Sequence, residues 1–325
     1  MPTRSGFDRE RLGRLLRYQY DVVARSQALE CGMTRGAIEH RLKPAGPWRP
    51  LLPGVYLTVT GTATADQRDV AALLYAGPQS VITGSVAVRR HHVRCAGLNV
   101  LDVLVPADLR RKSTGYVQIQ RTTRMPGNLY TTGPIRFTSL APAVADAARG
   151  MPRFGDVQAL VCEAIQRGRC TLEELAQELQ QGPSAGARWY RMALAEVSEG
   201  IRSAAEAQLK RLIDRSDLDR PVYNADLYTL DGLFIGRPDA WFARAGVAGQ
   251  VDSRQYHLAA KDYETTTLRH NRMEAAGIHV LHWLPSTIKT EPRRVIADLR
   301  DAIAVGHKCP PLPIKAIPRR EIKAS

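Results

Sequence analysis

Cysteine and acidic residues are scarce in this sequence, and no long apolar run occurs. The five cysteines, Cys31, Cys95, Cys162, Cys170 and Cys309, are odd in number and widely scattered. No Cys-x-x-Cys pair exists, which excludes a zinc ribbon and a disulfide framework. No segment approaches the roughly 18 consecutive apolar residues of a membrane helix, so no membrane partner is expected. The opening Met1-Pro2-Thr3-Arg4-Ser5 leads into a charged amphipathic stretch rather than an apolar signal core. The expected compartment is therefore the cytoplasm, with thiols reduced. There is no Gly-x-Ser-x-Gly elbow, no phosphate-cradling Gly-x4-Gly-Lys-[Ser/Thr] loop and no internal repeat. Serine hydrolysis and P-loop nucleotide hydrolysis drop out accordingly.

What is present is an ordinary globular mixture, 44% hydrophobic and 24% charged, which argues against disorder. A length of 325 residues suggests about two or three domains. Lys and Arg total 46 against 32 Asp and Glu, a net charge of +14. That surplus favours a polyanion; nucleic acid and an acidic membrane surface both qualify, and nucleic acid rather than membrane is the partner expected.

Residues 7–60 read as a helical unit closed by a hairpin. Leu12, Leu15 and Leu16 recur at helical spacing. A short second helix is expected across Asp21–Leu29, with Ser26 as a natural N-cap and Gly32 as its left-handed stop. Thr34 can cap a third helix from Arg35 to about Arg41, with Ala37, Ile38 and Leu42 on its apolar side. Gly46 and Pro47 break the chain, and Trp48 to Leu57 form two short strands about a Pro53-Gly54 turn. Together these elements predict a winged helix-turn-helix.

Beyond it, helices are expected over Asp66–Tyr75, Ser85–His92 and Ala141–Arg149, with strands over Val100–Val105, Tyr116–Gln120 and Ile135–Thr138. Residues 152–200 read as mostly helical, with Thr171 and Glu174 forming a capping box. From 201 the rhythm changes. A helix over Ser203–Ile213 precedes a strand pair around 222–242 and a strand at Val247–Asp252. A helix at Asp262–Ala276 follows, stopped by Gly277, then a buried strand at Ile278–Leu284 and a last helix at Arg293–Ala304. The tail, rich in Lys, Arg and Pro, reads as a disordered basic extension. The reading is thus a multidomain α+β or α/β chain. It comprises a winged helix-turn-helix (1–60), a mixed α/β domain (61–150), a helical connector (151–200), a C-terminal α/β domain (201–306) and the tail (307–325).

In a helix-turn-helix, base edges meet the N-terminal residues of the last helix. Here these are Thr34, Arg35, Gly36, Glu39 and His40. Arg can bond guanine bidentately and Glu can accept from cytosine. Arg25, Arg41, Lys43 and Arg49 are placed for phosphates, which fix register without reading sequence. Residues 1–60 hold ten Lys/Arg against five Asp/Glu. That balance favours double-stranded DNA over the blander use of such a module as a protein-interaction surface with solvated charges.

The run from Val22 to Tyr56, with its Arg-Ser-Gln-Ala-Leu and Leu-Leu-Pro-Gly-Val-Tyr pieces, resembles the N-terminal domain of AbiEi-type antitoxins. The resemblance continues through Arg136-Phe137-Thr138 and Ala143–Arg149, covering about the first 150 residues. It implies a winged helix that binds operator DNA and represses its own operon, and a cognate toxin protein as partner.

A second constellation lies in Arg237-Pro238-Asp239-Ala240-Trp241 and Gly249–His257. Alternation puts Gln250 and Asp252 on one strand face, with Val251 pointing away. A hairpin centred between Arg244 and Ala245 pairs Asp239 with Gln250 and leaves Asp252 diagonal to it. Two carboxylates and an amide at one point suit Mg²⁺, which could activate water against a phosphodiester. The pattern resembles the PD-(D/E)XK superfamily, closest to its very-short-patch-repair-like domains, across Ser203–Ala304. The resemblance implies a restriction-endonuclease-like fold in which Asp239 is the first metal carboxylate and position 250 the second acid. Asp252 stands where classical members carry lysine. His257 would transfer or orient a proton, and Glu206 would be a helix-borne auxiliary acid. The departure is Gln250, whose amide supplies no charge and weakens any metal site.

Plainer readings stand beside these. Glu206 follows Ser203 by three residues and can simply complete a capping box. Asp252-Ser253 can be a strand-end turn, and His257 a surface histidine. His91 and His92 are adjacent and share no helical face, which disfavours a metal pair. Asp262, Arg269 and Arg272 can be a solvated helix face, and Trp241 and Trp283 core residues. Three functions remain open: a DNA-binding regulator of antitoxin type with a degenerate nuclease-like domain, a Mg²⁺-dependent DNA endonuclease targeted by the winged helix, and an antitoxin that acts by binding a toxin protein.

Overall fold

The computed structural model describes residues 7–96, 100–252, 268 and 270–318. The chain is mixed α+β and divides into two compact units, Met1–Ala193 and Leu194–Ser325. No helix among the described residues is long and apolar enough to cross a membrane. The division falls inside a continuous helix, a few residues before the boundary expected at 201.

The first unit opens with helix α1 (Arg9–Tyr18), capped by Asp8, whose carboxylate accepts from the Arg11 N–H at 2.8 Å. Left-handed backbone at Tyr20 (φ 54°) and Asp21 (φ 63°) then turns the chain. Strand β1 (Val22–Ala24) follows, where the first half of a helix was expected, and the helix proper, α2, is only Arg25–Glu30. The correction has a plain cause. Val22, Val23 and Ala24 pair antiparallel with Leu57, Tyr56 and Val55, which lie more than thirty residues away. β-branched valines fit that pleated, buried position. Ser26 therefore sits inside α2, and Ala24 holds the N-cap position. Gly32 takes φ 84°, as expected of a helix stop, and Thr34 caps α3 (Arg35–Arg41) by accepting from the Ala37 N–H at 3.1 Å. Strands β2 (Arg49–Leu52) and β3 (Val55–Leu57) flank the turn at Gly54 (φ 72°), giving the sheet order β1-β3-β2. Leu12, Val23, Ala28, Met33, Ile38 and Trp48 belong to the core of this region.

Helix α4 (Ala65–Ala76), with a capping box of Thr64 and Gln67, packs on β1, β2 and β3 and on the sheet that follows. That sheet contains β4 (Val81–Thr83), β5 (Leu101–Pro106), β6 (Val117–Thr122), β7 (Leu129–Thr132) and β8 (Ile135–Thr138), in the order β6-β5-β4-β8-β7. Helix α5 (Gly84–Arg90) leaves β4. Strands β4 and β7 escaped the sequence reading: β4 is three residues long, and β7 is exposed throughout, so neither shows alternation. Helices α6 (Leu140–Gly150), α7 (Phe154–Gln166) and α8 (Leu172–Gln181) follow, and the Thr171–Glu174 capping box is formed as expected. Helix α9 runs from Arg188 to Asp214.

The second unit holds two sheets. One contains β9 (Val222–Tyr223), β12 (Ala240–Phe242), β13 (Val247–Val251) and β14 (His279–Trp283), in the order β14-β13-β12-β9. The other contains β10 (Asp226–Thr229), β11 (Phe234–Gly236) and β15 (Ile314–Ile317), in the order β11-β10-β15. Helices α10 (Pro285–Thr290) and α11 (Pro292–Gly306) complete it, and residues 270–275 are also helical. One core gathers Leu209, Val247, Val251, Trp283 and Leu299, and the other Leu227, Trp241, Ala248, Met273 and Ile278. Both tryptophans are core residues, as expected.

Two expectations need correction here. The tail is not disordered throughout, because Ile314–Ile317 pair antiparallel with Thr229–Asp226 and supply an edge strand. Its alternating Ile314 and Ala316 pack on the second core, a pattern that proline and charge obscured. Ser203 does not open a helix, because α9 is already four turns old there. Ser203 and Glu206 therefore form no capping box.

Candidate functional site

Two groups of predicted residues can be located, one in each unit. In the first, Thr34 caps α3, and its neighbours Arg35, Gly36, Glu39 and His40 are exposed. Ile38 is fully buried, and Ala37 and Leu42 pack beside it. The helix thus buries one side and presents the other to solvent, the polarity that 3.6-residue periodicity demands. Lys43 and Arg49 are exposed, Arg49 at the start of β2.

Two further cations on this surface are engaged. The Arg25 guanidinium lies 3.7 Å from the Glu39 carboxylate, with both side chains substantially exposed. Such a pair contributes little to stability, about 0–1 kcal/mol, but it sets where the Glu39 carboxylate rests. Arg41 is half-buried. It donates to the Ala37 carbonyl at 3.0 Å and lies over the Trp48 ring, 5.8 Å from its centroid. Its charge braces the helix to the hairpin, a role the sequence reading had not given it.

In the second unit, β12 and β13 pair with Ala240 opposite Gly249, Trp241 opposite Ala248 and Phe242 opposite Val247. This is the register of a hairpin centred between Arg244 and Ala245, and continuing it sets Asp239 opposite Gln250. Val251 lies in the α11-side core, so Gln250 and Asp252 share the other face. The Asp239 carboxylate is turned onto the neighbouring strand, where it accepts from the Val251 N–H at 2.7 Å. Asp252 is buried, and its N–H donates to the Trp283 carbonyl at 2.8 Å. The Gln250 side-chain oxygen is buried without a hydrogen-bond donor among the described residues.

Glu206 lies well inside α9 and pairs with Arg202 at 3.3 Å. Burial pushes its carboxyl above the ordinary range, opposed by that arginine. His257 lies outside the described residues. A different histidine reaches this face. His282 on β14 is aligned with Gln250 across the parallel pair, so both side chains leave the sheet on one side. Its ring stacks on His270, with centroids 3.9 Å apart and planes at 26°. Sequence reasoning placed His282 in a buried strand and went no further, because parallel register across some thirty residues has no local signal. Among the described residues, no group of three or more His, Cys, Asp or Glu is placed to hold a metal ion.

The two faces differ in chemistry. The α3 surface offers solvated hydrogen-bonding groups of both signs. The rear face offers carboxylates already engaged with the protein. No protein-family model and no curated protein matches the sequence. Among solved structures, the crystal structure of the RV2827C protein from Mycobacterium tuberculosis is similar to this chain at 17% sequence identity and a TM-score of 0.38, covering 67% of this chain and 87% of that one.

Proposed function

We propose that the protein is a duplex-DNA-binding regulator of antitoxin type, with a winged helix-turn-helix in front and a degenerate nuclease-like fold behind. The observation that carries this reading is the exposed row Arg35, Gly36, Glu39 and His40 on α3, flanked by the exposed cations Lys43 and Arg49. In the major groove, Arg35 would bond guanine and Glu39 would accept from the cytosine amino group. Arg49 on the hairpin would hold phosphate. The net charge of +14 draws a polyanion from a distance and makes binding salt-sensitive.

The test is a gel-shift titration with bases selected from a random duplex pool. Arg35→Ala should cost about 1–3 kcal/mol on the preferred sequence and flatten base preference. Arg49→Ala should weaken all sequences alike. No retardation by the wild type at low salt would end this reading.

The endonuclease reading has one supporting observation, the β12–β13 register, which if continued by one residue sets Asp239 opposite Gln250. The donor set fits Mg²⁺ poorly. One Asp239 oxygen already accepts from the Val251 N–H, and the Gln250 amide brings no charge where two carboxylates would serve the ion. Incubating supercoiled plasmid with Mg²⁺ or Mn²⁺ decides the matter. The degenerate-fold reading expects no nicking by the wild type, and nicking abolished by Asp239→Ala and raised by Gln250→Glu would reverse it.

A further inference from the structure

The cationic surface of the first unit extends beyond its first sixty residues. The connection between the parallel strands β5 and β6 carries Arg110, Arg111 and Lys112, and β6 ends near Arg121. All four are exposed. Between Ala107 and Arg121 the sequence has one acid, Asp108. Among the described residues, no carboxylate forms an ion pair with any of the four cations.

This connection is held in place. Arg121 donates through Nε to the Leu109 carbonyl at 3.1 Å and through Nη2 to the Arg111 carbonyl at 2.7 Å. The Tyr75 hydroxyl donates to the Lys112 carbonyl at 2.8 Å, and the Arg111 guanidinium lies over the Tyr75 ring, 5.5 Å from its centroid. Arg121 thus ties together the backbone that displays its neighbours, and its own hydrogen bonds go to neutral oxygens. Like charges gathered on and beside a pinned connection repel one another, and no carboxylate among the described residues is paired with them.

The same connection abuts the hairpin. A methyl group added at Gly115 would lie 3.7 Å from Leu52 Cδ2 on β2, which is van der Waals contact, and Arg49 lies on the same strand. Helix α4, which carries Tyr75, packs on β2 and β3 as well. The connection that carries Arg110, Arg111 and Lys112 therefore reaches the strand that also carries Arg49.

We propose that Arg110, Arg111, Lys112 and Arg121 form a second phosphate-binding strip that grips duplex DNA beside the bases met by α3. The proposal rests on the reading of α3 as the DNA-contacting helix. Phosphate contacts add affinity and salt dependence without adding sequence information. The strip should therefore change how tightly every duplex is held and leave base choice alone.

The experiment compares the full-length wild type with the triple variant Arg110→Ala, Arg111→Ala, Lys112→Ala on a fluorescent mixed-sequence duplex across a salt series. The bases each protein enriches from a random duplex pool are also compared. Each lost phosphate contact should reduce the slope of log K against log salt by about 0.9, so the triple variant should lose about 2–3 units of slope. Its enriched bases should match those of the wild type, and the double variant Arg110→Lys, Arg111→Lys should keep the wild-type slope. If the triple alanine variant melts early, Lys112→Ala alone decides, with an expected drop of about one unit. An unchanged slope in a folded variant overturns the strip while leaving α3 as the reading helix, and altered base preference overturns it too. Failure of the wild type to bind at low salt removes both readings together.

Discussion

The α3 surface and the rear-unit face around Asp239 use charge in opposite ways. On α3, Arg35, Glu39 and His40 stand in water, and the nearest ion pair, Arg25–Glu39, is long and solvated. Around Asp239, one carboxylate accepts from a strand N–H and another is buried. Exposed groups contribute little to folding and stay available to a partner. Buried ones are expensive to leave unpaired, so the fold itself consumes their hydrogen-bonding capacity. The contrast separates a surface whose charged groups remain solvated from a motif whose residue types suggest chemistry but whose contacts describe structure.

The largest break in this contrast should come where a buried pair supports the first unit. Asp69 is buried and accepts from Arg90 Nε at 2.9 Å. Asp69→Ala strands a half-buried guanidinium and should cost about 3–5 kcal/mol by chemical denaturation. Exposed Asp66 remains as a second partner for Arg90, which puts the expected value at the lower end.

Next in size is Asp239. Asp239→Ala removes the acceptor for the Val251 N–H and should destabilise the second unit by about 1–3 kcal/mol, while Asp239→Asn, which keeps an oxygen, should cost less. Equal stability of wild type and Asp239→Ala, measured by denaturant titration, would mean that the carboxylate is not structural and would return it to the list of catalytic candidates.

The smallest effect concerns pH. Asp102 is buried on β5 and accepts from Gln120 at 2.8 Å. Burial raises its carboxyl above the ordinary range, against the opposing pull of that hydrogen bond and with the Asp146 charge adding to the rise. The folded state therefore holds this proton to higher pH than the unfolded chain does. Its contribution to stability is complete below the unfolded value and is lost as pH rises through the folded one. Asp102→Asn keeps an acceptor for Gln120 and has nothing to titrate. It should be more stable than wild type at neutral pH, with the difference vanishing on acidification. Parallel pH profiles for the two proteins would refute this.

Much of the candidate site on α3 was legible in the sequence because its structural determinants are local. Thr34 caps a helix three residues ahead, Gly32 adopts a conformation other residues resist, and Ile38 must face inward once α3 is a helix. The register of β12 on β13 was equally legible, since a hairpin's centre sets its pairing. The basic stretch at 110–112 was present as a charge run, but only its contacts with Tyr75 give it a place against α4.

From the sequence alone came the mixed α+β class, most helices and turns, the positive balance and the face shared by Gln250 and Asp252. Tertiary structure alone decided that Val22–Ala24 is a strand, that Ile314–Ile317 adds an edge to a sheet and that His282 aligns with Gln250. It also decided that Asp239 serves a backbone N–H and that Arg41 braces Trp48. Caps and turns are settled by neighbours within a few residues, whereas a strand or a buried charge takes its role from a partner the chain brings in from far away.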